Sequence, residues 1–135
     1  MTLSERLVTV LDEILPTQQE EDGGITVHHD ETFASLRVVT IAEGLDMVSL
    51  TQVLAWDLPL DSKIRAKVAK QAADTLLGTV SLAEKSAGAK RDSRKTADVL
   101  LRYNFPASGL SDDALRTLIL MVLATGADVR RALVA

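Results

Sequence analysis

The stretch MVSLTQVLAWDL, residues 47–58, decides the fold because it has the pattern of a strand with one buried side. Apart from Gln52, every second position is apolar: Val48, Leu50, Leu54, Trp56 and Leu58. The intervening positions include Ser49, Thr51 and Asp57. Because successive side chains of a strand point to opposite faces, this alternation predicts a half-buried strand.

Two more strands are predicted just before it. Residues 25–30 alternate weakly, and residues 33–42 are rich in Val, Ile and Thr. The segment EGLD, residues 43–46, breaks the run as a turn. Connections this short cannot carry a parallel crossover, so the three strands are expected to form an antiparallel meander.

A second hairpin is predicted further along the chain. Residues 79–84 begin a fourth strand, and residues 85–95 form a loop containing glycine and many charges. The chain returns as a strand at Thr96, where residues 99, 101, 103 and 105 are apolar or aromatic and alternate with other side chains. Pro106 and Gly109 end this strand.

Helices are predicted before, between and after the two groups of strands. Thr2 and Glu5 form a capping box for the first helix, which Pro16 ends, and the polar residues 17–24 are expected to be a solvated loop. Asp61 is the expected N-cap of the second helix. Its apolar stripe is Ile64, Val68, Ala72 and Leu76, and Gly78 closes it.

The last helix is predicted to begin at Ser111, with Asp112 and Asp113 in its first turn. Residues 118–124 are apolar around nearly the whole circumference, so we expect cover on more than one side, from the sheet and from a second element or a dimer partner. Gly126 is the expected C-cap, followed by a short terminal turn or helix over residues 128–134.

Length and composition are those of one globular domain, residues 1–135. Apolar residues make up 47% and charged residues 25%, and the few aromatics leave the core to aliphatic side chains. The residues expected to be mostly buried are Val48, Leu50, Leu54, Trp56, Val99, Leu101, Leu115, Leu118 and Val122.

The chain contains no cysteine, which excludes disulfides, thiolate metal sites and thiol nucleophiles. The N-terminus carries charges within an amphipathic pattern, unlike a signal peptide, and the longest apolar run is far shorter than the roughly 20 residues that span a bilayer. A cytoplasmic protein is therefore expected.

The net charge of -4 is unevenly distributed. Residues 1–62 hold twelve acidic and two basic side chains, whereas residues 63–102 hold four acidic and ten basic ones. The acidic part could fold against the basic part, the two could form opposed surfaces, or copies of the chain could pair head to tail.

The segment FPASGLSDDAL, residues 105–115, resembles the passage from last strand to last helix in the YbjN family, a branch of the type III secretion chaperone-like fold. The order α-β-β-β-α-β-β-α is also similar to that fold along the whole chain. The resemblance implies an α+β domain with helices packed on an antiparallel sheet. It further implies a protein that dimerises and holds partner polypeptides, and it supplies no catalytic residues to transfer.

No catalytic, cofactor or metal site is predicted. His28 and His29 are the only histidines, but adjacent strand residues point to opposite faces and no third ligand has a useful spacing. The sequence lacks a nucleophile elbow, a phosphate-binding P-loop and a dinucleotide fingerprint. The pair is therefore interpreted as a solvated strand end.

One basic cluster could bind a partner: Lys85, Lys90, Arg91, Arg94 and Lys95. The second helix adds further lysines and an arginine that could lie nearby.

We expect a non-enzymatic, protein-binding or chaperone-like module, forming a homodimer, whose partner is another polypeptide. The alternative is a regulatory protein that binds nucleic acid through the basic hairpin, although this hairpin has no aromatic side chain for base stacking. An ordinary solvated hairpin tip and an enzyme built from scattered residues are the remaining readings.

Overall fold

The computed structural model describes residues 1–85 and 95–134. These residues form three helices and six strands. In chain order they are α1 (Leu3–Asp12), β1 (Thr17–Gln19), β2 (Ile25–His29), β3 (Thr32–Ala42), β4 (Leu45–Pro59), α2 (Ser62–Asp74), β5 (Thr79–Lys85), β6 (Thr96–Pro106) and α3 (Asp112–Val134). The strands make one antiparallel sheet in the order β1-β2-β3-β4-β6-β5. The predicted fold class is confirmed, with one strand more than expected.

The additional strand is β1, which the sequence analysis assigned to a solvated loop. Its three residues pair with β2, and Thr17 lies opposite Val27. The prediction was wrong because β1 is a short strand at the solvent-exposed edge of the sheet. Such a strand can pair with its neighbour without carrying apolar side chains. Its stabilising contacts are backbone hydrogen bonds, which leave no trace in composition.

All three predicted helix starts are confirmed by their caps. Thr2 and Glu5 form the capping box of α1. The Asp61 carboxylate accepts a hydrogen bond from the Ile64 N–H at 2.8 Å, and the Ser111 hydroxyl accepts one from the Ala114 N–H at 3.1 Å. Short side chains with an oxygen satisfy the free N–H groups of a first turn, which is why sequence identifies these positions.

The second helix ends earlier than expected. The sequence placed Leu76 on its apolar stripe, but α2 stops at Asp74, and a turn over residues 75–78 leaves Leu76 91% exposed. Gly78 has φ +86° in this turn, and a Cβ there would overlap Leu101. The chain leaves the helix early so that β5 can start beside β6.

The prediction that Gly126 ends the last helix was wrong. Helix α3 continues as one unit to Val134, and Gly126 is buried within it. A Cβ at this position would lie 2.7 Å from Nε2 of Gln52. The glycine is present because the helix crosses close to a polar side chain of β4.

All three helices pack on the same face of the sheet. Helix α3 crosses the middle, α1 lies toward β1–β3 and α2 lies toward β5. The expected second cover of α3 is supplied within the chain by α1 and α2. The core contains helix-facing side chains of strands β2 to β6, including Leu36, Leu50, Val99 and Leu101, each at 0% exposure.

Seven of the nine residues expected in the core are buried. Leu118 is only half-buried, and Trp56 is 49% exposed. The register of β4 with β6 shifts between Val53 and Ala55 and again before Leu58, and Asp57 has φ +56°. Each shift breaks the period of two. The alternation that held from Val48 onward therefore assigned Trp56 to the wrong environment.

The strand order places the acidic and the basic parts of the chain at opposite edges of the sheet. The acidic α1 and β1–β2 turn lie at the β1 edge, and the basic α2 lies at the β5 edge. Within one chain, the acidic and basic parts therefore form opposed surfaces. Among the described residues, no helix is long and apolar enough to cross a membrane.

Candidate functional site

Within residues 1–85 and 95–134, no helix or loop covers the face of the sheet opposite the helices, and we call it the uncovered face. By strand register, the uncovered face consists of Thr26, His28, Phe33, Ser35, Arg37, Val39, Met47, Ser49, Thr51, Val53, Thr79, Ser81, Leu100, Arg102 and Asn104. Every one of these side chains is half-buried or exposed. Its centre is polar, because Ser35 lies opposite Thr51 and Ser49 lies opposite Asn104.

One end of the uncovered face is apolar and aromatic. Register aligns His28, Phe33, Val53 and Leu100 in a row across four strands. The ring centroids of Phe33 and Trp56 are 6.2 Å apart, and those of His28 and Phe33 are 6.5 Å apart. Phe33 is 40% exposed and Trp56 49% exposed. We call His28, Phe33 and Trp56 the aromatic cluster.

Arg130 of α3 also contacts Trp56. Its guanidinium carbon lies 5.8 Å from the Trp56 ring centroid, within reach of a cation–π interaction. The same guanidinium donates to the Leu54 carbonyl at 2.8 Å and lies 3.6 Å from a Glu31 carboxylate oxygen. Glu31 occupies the β2–β3 turn with φ +63°. A strand and a turn thus hold the guanidinium that contacts the indole.

Lys85, the first member of the predicted basic cluster, lies in an ion-pair network at the same end of the sheet. Its Nζ is 2.9 Å from Asp98 and 3.2 Å from Asp57. A hydrogen bond to Asp98, and a weaker effect from the one to Asp57, raise the pKa of Lys85. Asp98 also accepts from the Asp57 N–H at 3.0 Å. This network stabilises the left-handed residue after Trp56, and it balances the charge of Lys85.

The rest of the predicted basic cluster is only partly described. Lys90, Arg91 and Arg94 lie outside the described residues. Lys95 is exposed, and its carbonyl accepts from the Leu60 N–H at 3.1 Å, next to the start of α2.

Helix α2 carries further basic side chains at the β5 edge. Lys63, Lys67 and Lys70 follow one another at spacings of four and three, which places them along one side of the helix. Arg65 points to β5 instead, where it lies 3.2 Å from Glu84. We call Lys63, Lys67 and Lys70 the lysine stripe.

The two histidines are separated by the pleat of β2, as expected. His28 is exposed beside Phe33 on the uncovered face, whereas His29 is half-buried with its Nε2 3.6 Å from Asp30. Within residues 1–85 and 95–134, no three potential metal ligands from His, Cys, Asp and Glu are grouped together.

The arrangement is suited to contact with another molecule. Exposed aromatic rings beside an arginine supply contact area at low conformational cost, and such residues dominate the binding energy of protein interfaces. Sequence reasoning missed this site because a strand pattern shows which residues alternate but not which face the helices leave bare. Of the two residues that could have signalled it, Trp56 was expected in the core, and Phe33 was assigned to a strand with no further role.

Comparison with known proteins supports the fold and identifies no specific function. No protein-family model matches the chain, and no curated protein matches it. The chain is similar to the crystal structure of YbjN from E. coli, which is described as a candidate transcription regulator. The superposition has a TM-score of 0.59 and 8% sequence identity, and it covers 93% of this chain and 87% of that one. The YbjN resemblance seen in the sequence is confirmed at the level of the fold.

Proposed function

We propose that this chain is a non-enzymatic, chaperone-like or regulatory module that binds another polypeptide on its uncovered face. The observation that carries the proposal is the aromatic cluster, exposed on a sheet whose opposite face holds all the described helices. Neighbouring apolar side chains that form an exposed patch are typical of a surface that binds another molecule.

The chemistry of the surroundings favours a polypeptide with an apolar anchor. Each of two basic side chains near the aromatic cluster is paired with carboxylates: Arg130 with Glu31, and Lys85 with both Asp57 and Asp98. At the middle of the face, Arg37 lies 2.5 Å from Asp22 and lowers the pKa of that carboxyl. A surface whose basic groups are paired with carboxylates does not attract a strongly acidic ligand. It suits a segment with one or two large apolar side chains flanked by polar residues.

Two further parts of the proposal rest on the sequence. The first is the location: we place the protein in the cytoplasm, as the sequence leads us to expect. The lack of a recognisable catalytic motif supports a binding role. We also propose the basic segment, residues 85–95, as a second contact region for the partner, although residues 86–94 lie outside the described part of the chain.

Regulatory nucleic-acid binding is the second candidate. The lysine stripe and the description of YbjN as a candidate transcription regulator favour it. The carboxylates of Asp30, Glu31, Asp57 and Asp98 around the aromatic cluster oppose base stacking there, because they repel phosphates. Oligonucleotide binding that weakens with salt and with Lys67→Gln, but tolerates Trp56→Ser, would support this second candidate over the first.

Selection of peptides from a displayed library tests the first candidate. Peptides enriched on the wild-type protein are expected to bind Trp56→Ser and Phe33→Ser at least about tenfold more weakly, because each change removes an aromatic anchor. The matched control is Met121→Ser, which removes an apolar side chain of 52% exposure from α3 on the other side of the molecule.

Isothermal titration calorimetry with the enriched peptides gives the affinities, and circular dichroism verifies that each variant is folded. Peptides that bind all three variants as well as wild type would contradict the proposal. So would peptides sensitive only to Met121→Ser, since they would locate the binding surface on the helices.

A further inference from the structure

A small apolar groove opens at the acidic edge of the sheet. It has a volume of about 250 Å³ and is lined mainly by Leu7, Val8, Ile25, Leu36 and Val38, between α1 and strands β2 and β3. This is smaller than the roughly 300–1,000 Å³ of typical small-molecule pockets. Its size suits a single inserted side chain, and its lining suits an apolar one.

One carboxylate lines the groove, and three more lie in the turn beside it. Glu5 lies on its rim, and Glu20, Glu21 and Asp22 follow in the adjacent β1–β2 turn. Hydrogen bonds from the backbone and hydroxyl of Thr2 lower the pKa of Glu5, so this carboxylate is charged at neutral pH. Arg37 balances Asp22, which leaves the rim with net negative charge. The groove is therefore an apolar hole in an acidic surface.

The opposite edge carries the complementary features. Leu76 is 91% exposed at the tip of the turn between α2 and β5, although most leucines in this chain are buried or half-buried. The lysine stripe runs along α2 toward this turn and ends six residues before Leu76. An exposed apolar side chain at the end of a basic surface matches an apolar hole in an acidic one.

We propose that copies of this chain associate head to tail, with Leu76 of one copy inserted into the α1–β2–β3 groove of the next. The two features lie at opposite edges of one six-stranded sheet, so they cannot meet within a single chain. The contact joins different surfaces on the two copies, so the assembly grows into a ring or an open chain.

Charge argues for this arrangement over a two-fold dimer at either edge. Two α2 edges would bring two lysine stripes together, and two groove edges would bring two acidic rims together. Head-to-tail contact pairs basic with acidic surface. It also leaves the uncovered face free, so the inference stands independently of the proposed polypeptide-binding function.

Sedimentation velocity over a range of protein concentrations and salt tests the inference. Wild type is expected to associate at low salt and to dissociate as salt is added, because screening weakens attraction between charged surfaces. Leu76→Asp removes the inserted side chain. Ser4→Arg, at an exposed position of the groove lining, blocks the hole and reverses its charge. Both variants are expected to be monomeric.

The decisive arm is an equimolar mixture of the two variants. Leu76→Asp keeps an intact groove and Ser4→Arg keeps an intact Leu76, so the mixture is expected to form a 1:1 dimer that does not grow further. Val8→Arg serves as an independent groove variant, and Met121→Asp on α3 is the control expected to associate like wild type.

Three outcomes would overturn the inference. They are a wild-type protein that stays monomeric at every concentration, an association that persists in Leu76→Asp, and a mixture of the two variants that remains monomeric. Peptide binding measured separately on the monomeric variants shows whether the proposed function survives such a result.

Discussion

Replacing Leu101 by Ala is expected to lower the free energy of unfolding by about 2–5 kcal/mol. Leu101 is fully buried on β6, where it lies opposite Gln52 of β4 on one side and Val80 of β5 on the other. It also fills the space against Gly78. Truncation removes apolar contacts and leaves a cavity that neighbours on three strands cannot close. Chemical denaturation followed by circular dichroism measures the loss.

Leu100→Ala is the matched control for this prediction. Leu100 precedes Leu101 on the same strand but lies on the uncovered face, where it is only half-buried. We expect a loss of about 1 kcal/mol or less, because solvent or neighbouring side chains can occupy the vacated space. Equal losses of unfolding free energy for the two variants would mean that both faces of the sheet are covered to the same degree, which would contradict the account.

Gly126→Ala is expected to destabilise the protein by about 1–3 kcal/mol, although alanine is the better helix former by about 1 kcal/mol. The new methyl group would overlap the buried amide of Gln52. That amide donates to the Thr32 hydroxyl at 2.9 Å and to the Leu123 carbonyl at 3.2 Å. Moving it breaks these bonds inside the core, where a polar group without partners is costly.

The sign of this effect is expected to reverse when residue 52 is also changed. In a Gln52→Ala background the space beside Gly126 is empty, so Gly126→Ala should stabilise α3 by up to about 1 kcal/mol. Thermal and chemical denaturation of the four proteins in this cycle give the coupling energy. A Gly126→Ala effect of the same sign and size in both backgrounds would show that Gln52 is not the reason for the glycine.

Local signals in the sequence predicted most of the fold. Caps at Thr2, Asp61 and Ser111 determined where the helices begin, because capping depends on residues a few positions apart. The alternation in β4 and β6 predicted the buried face of the central strands. The polar Gln52 within an apolar series was visible as an exception, but its role beside Gly126 depends on a helix 71 residues away.

The candidate sites could not be predicted, because each depends on tertiary geometry. Trp56 is exposed since two register shifts interrupt its strand, and such irregularities have no reliable sequence pattern. Leu76 is exposed because α2 ends before its apolar stripe does. The uncovered face exists only because three separate helices pack on one side of the sheet. The basic cluster was recognised from composition, but ion pairing at Lys85 was not.

Fluorescence of Trp56 during titration with a selected peptide tests the central claim most directly. Trp56 is the single tryptophan of the chain, so its emission reports on the aromatic cluster alone. We expect a partly exposed indole in the free protein, quenched by iodide. Saturating peptide should shift the emission to shorter wavelength and protect the indole from iodide, since a partner on the uncovered face excludes water from it. Full binding with unchanged emission and unchanged quenching would contradict the account.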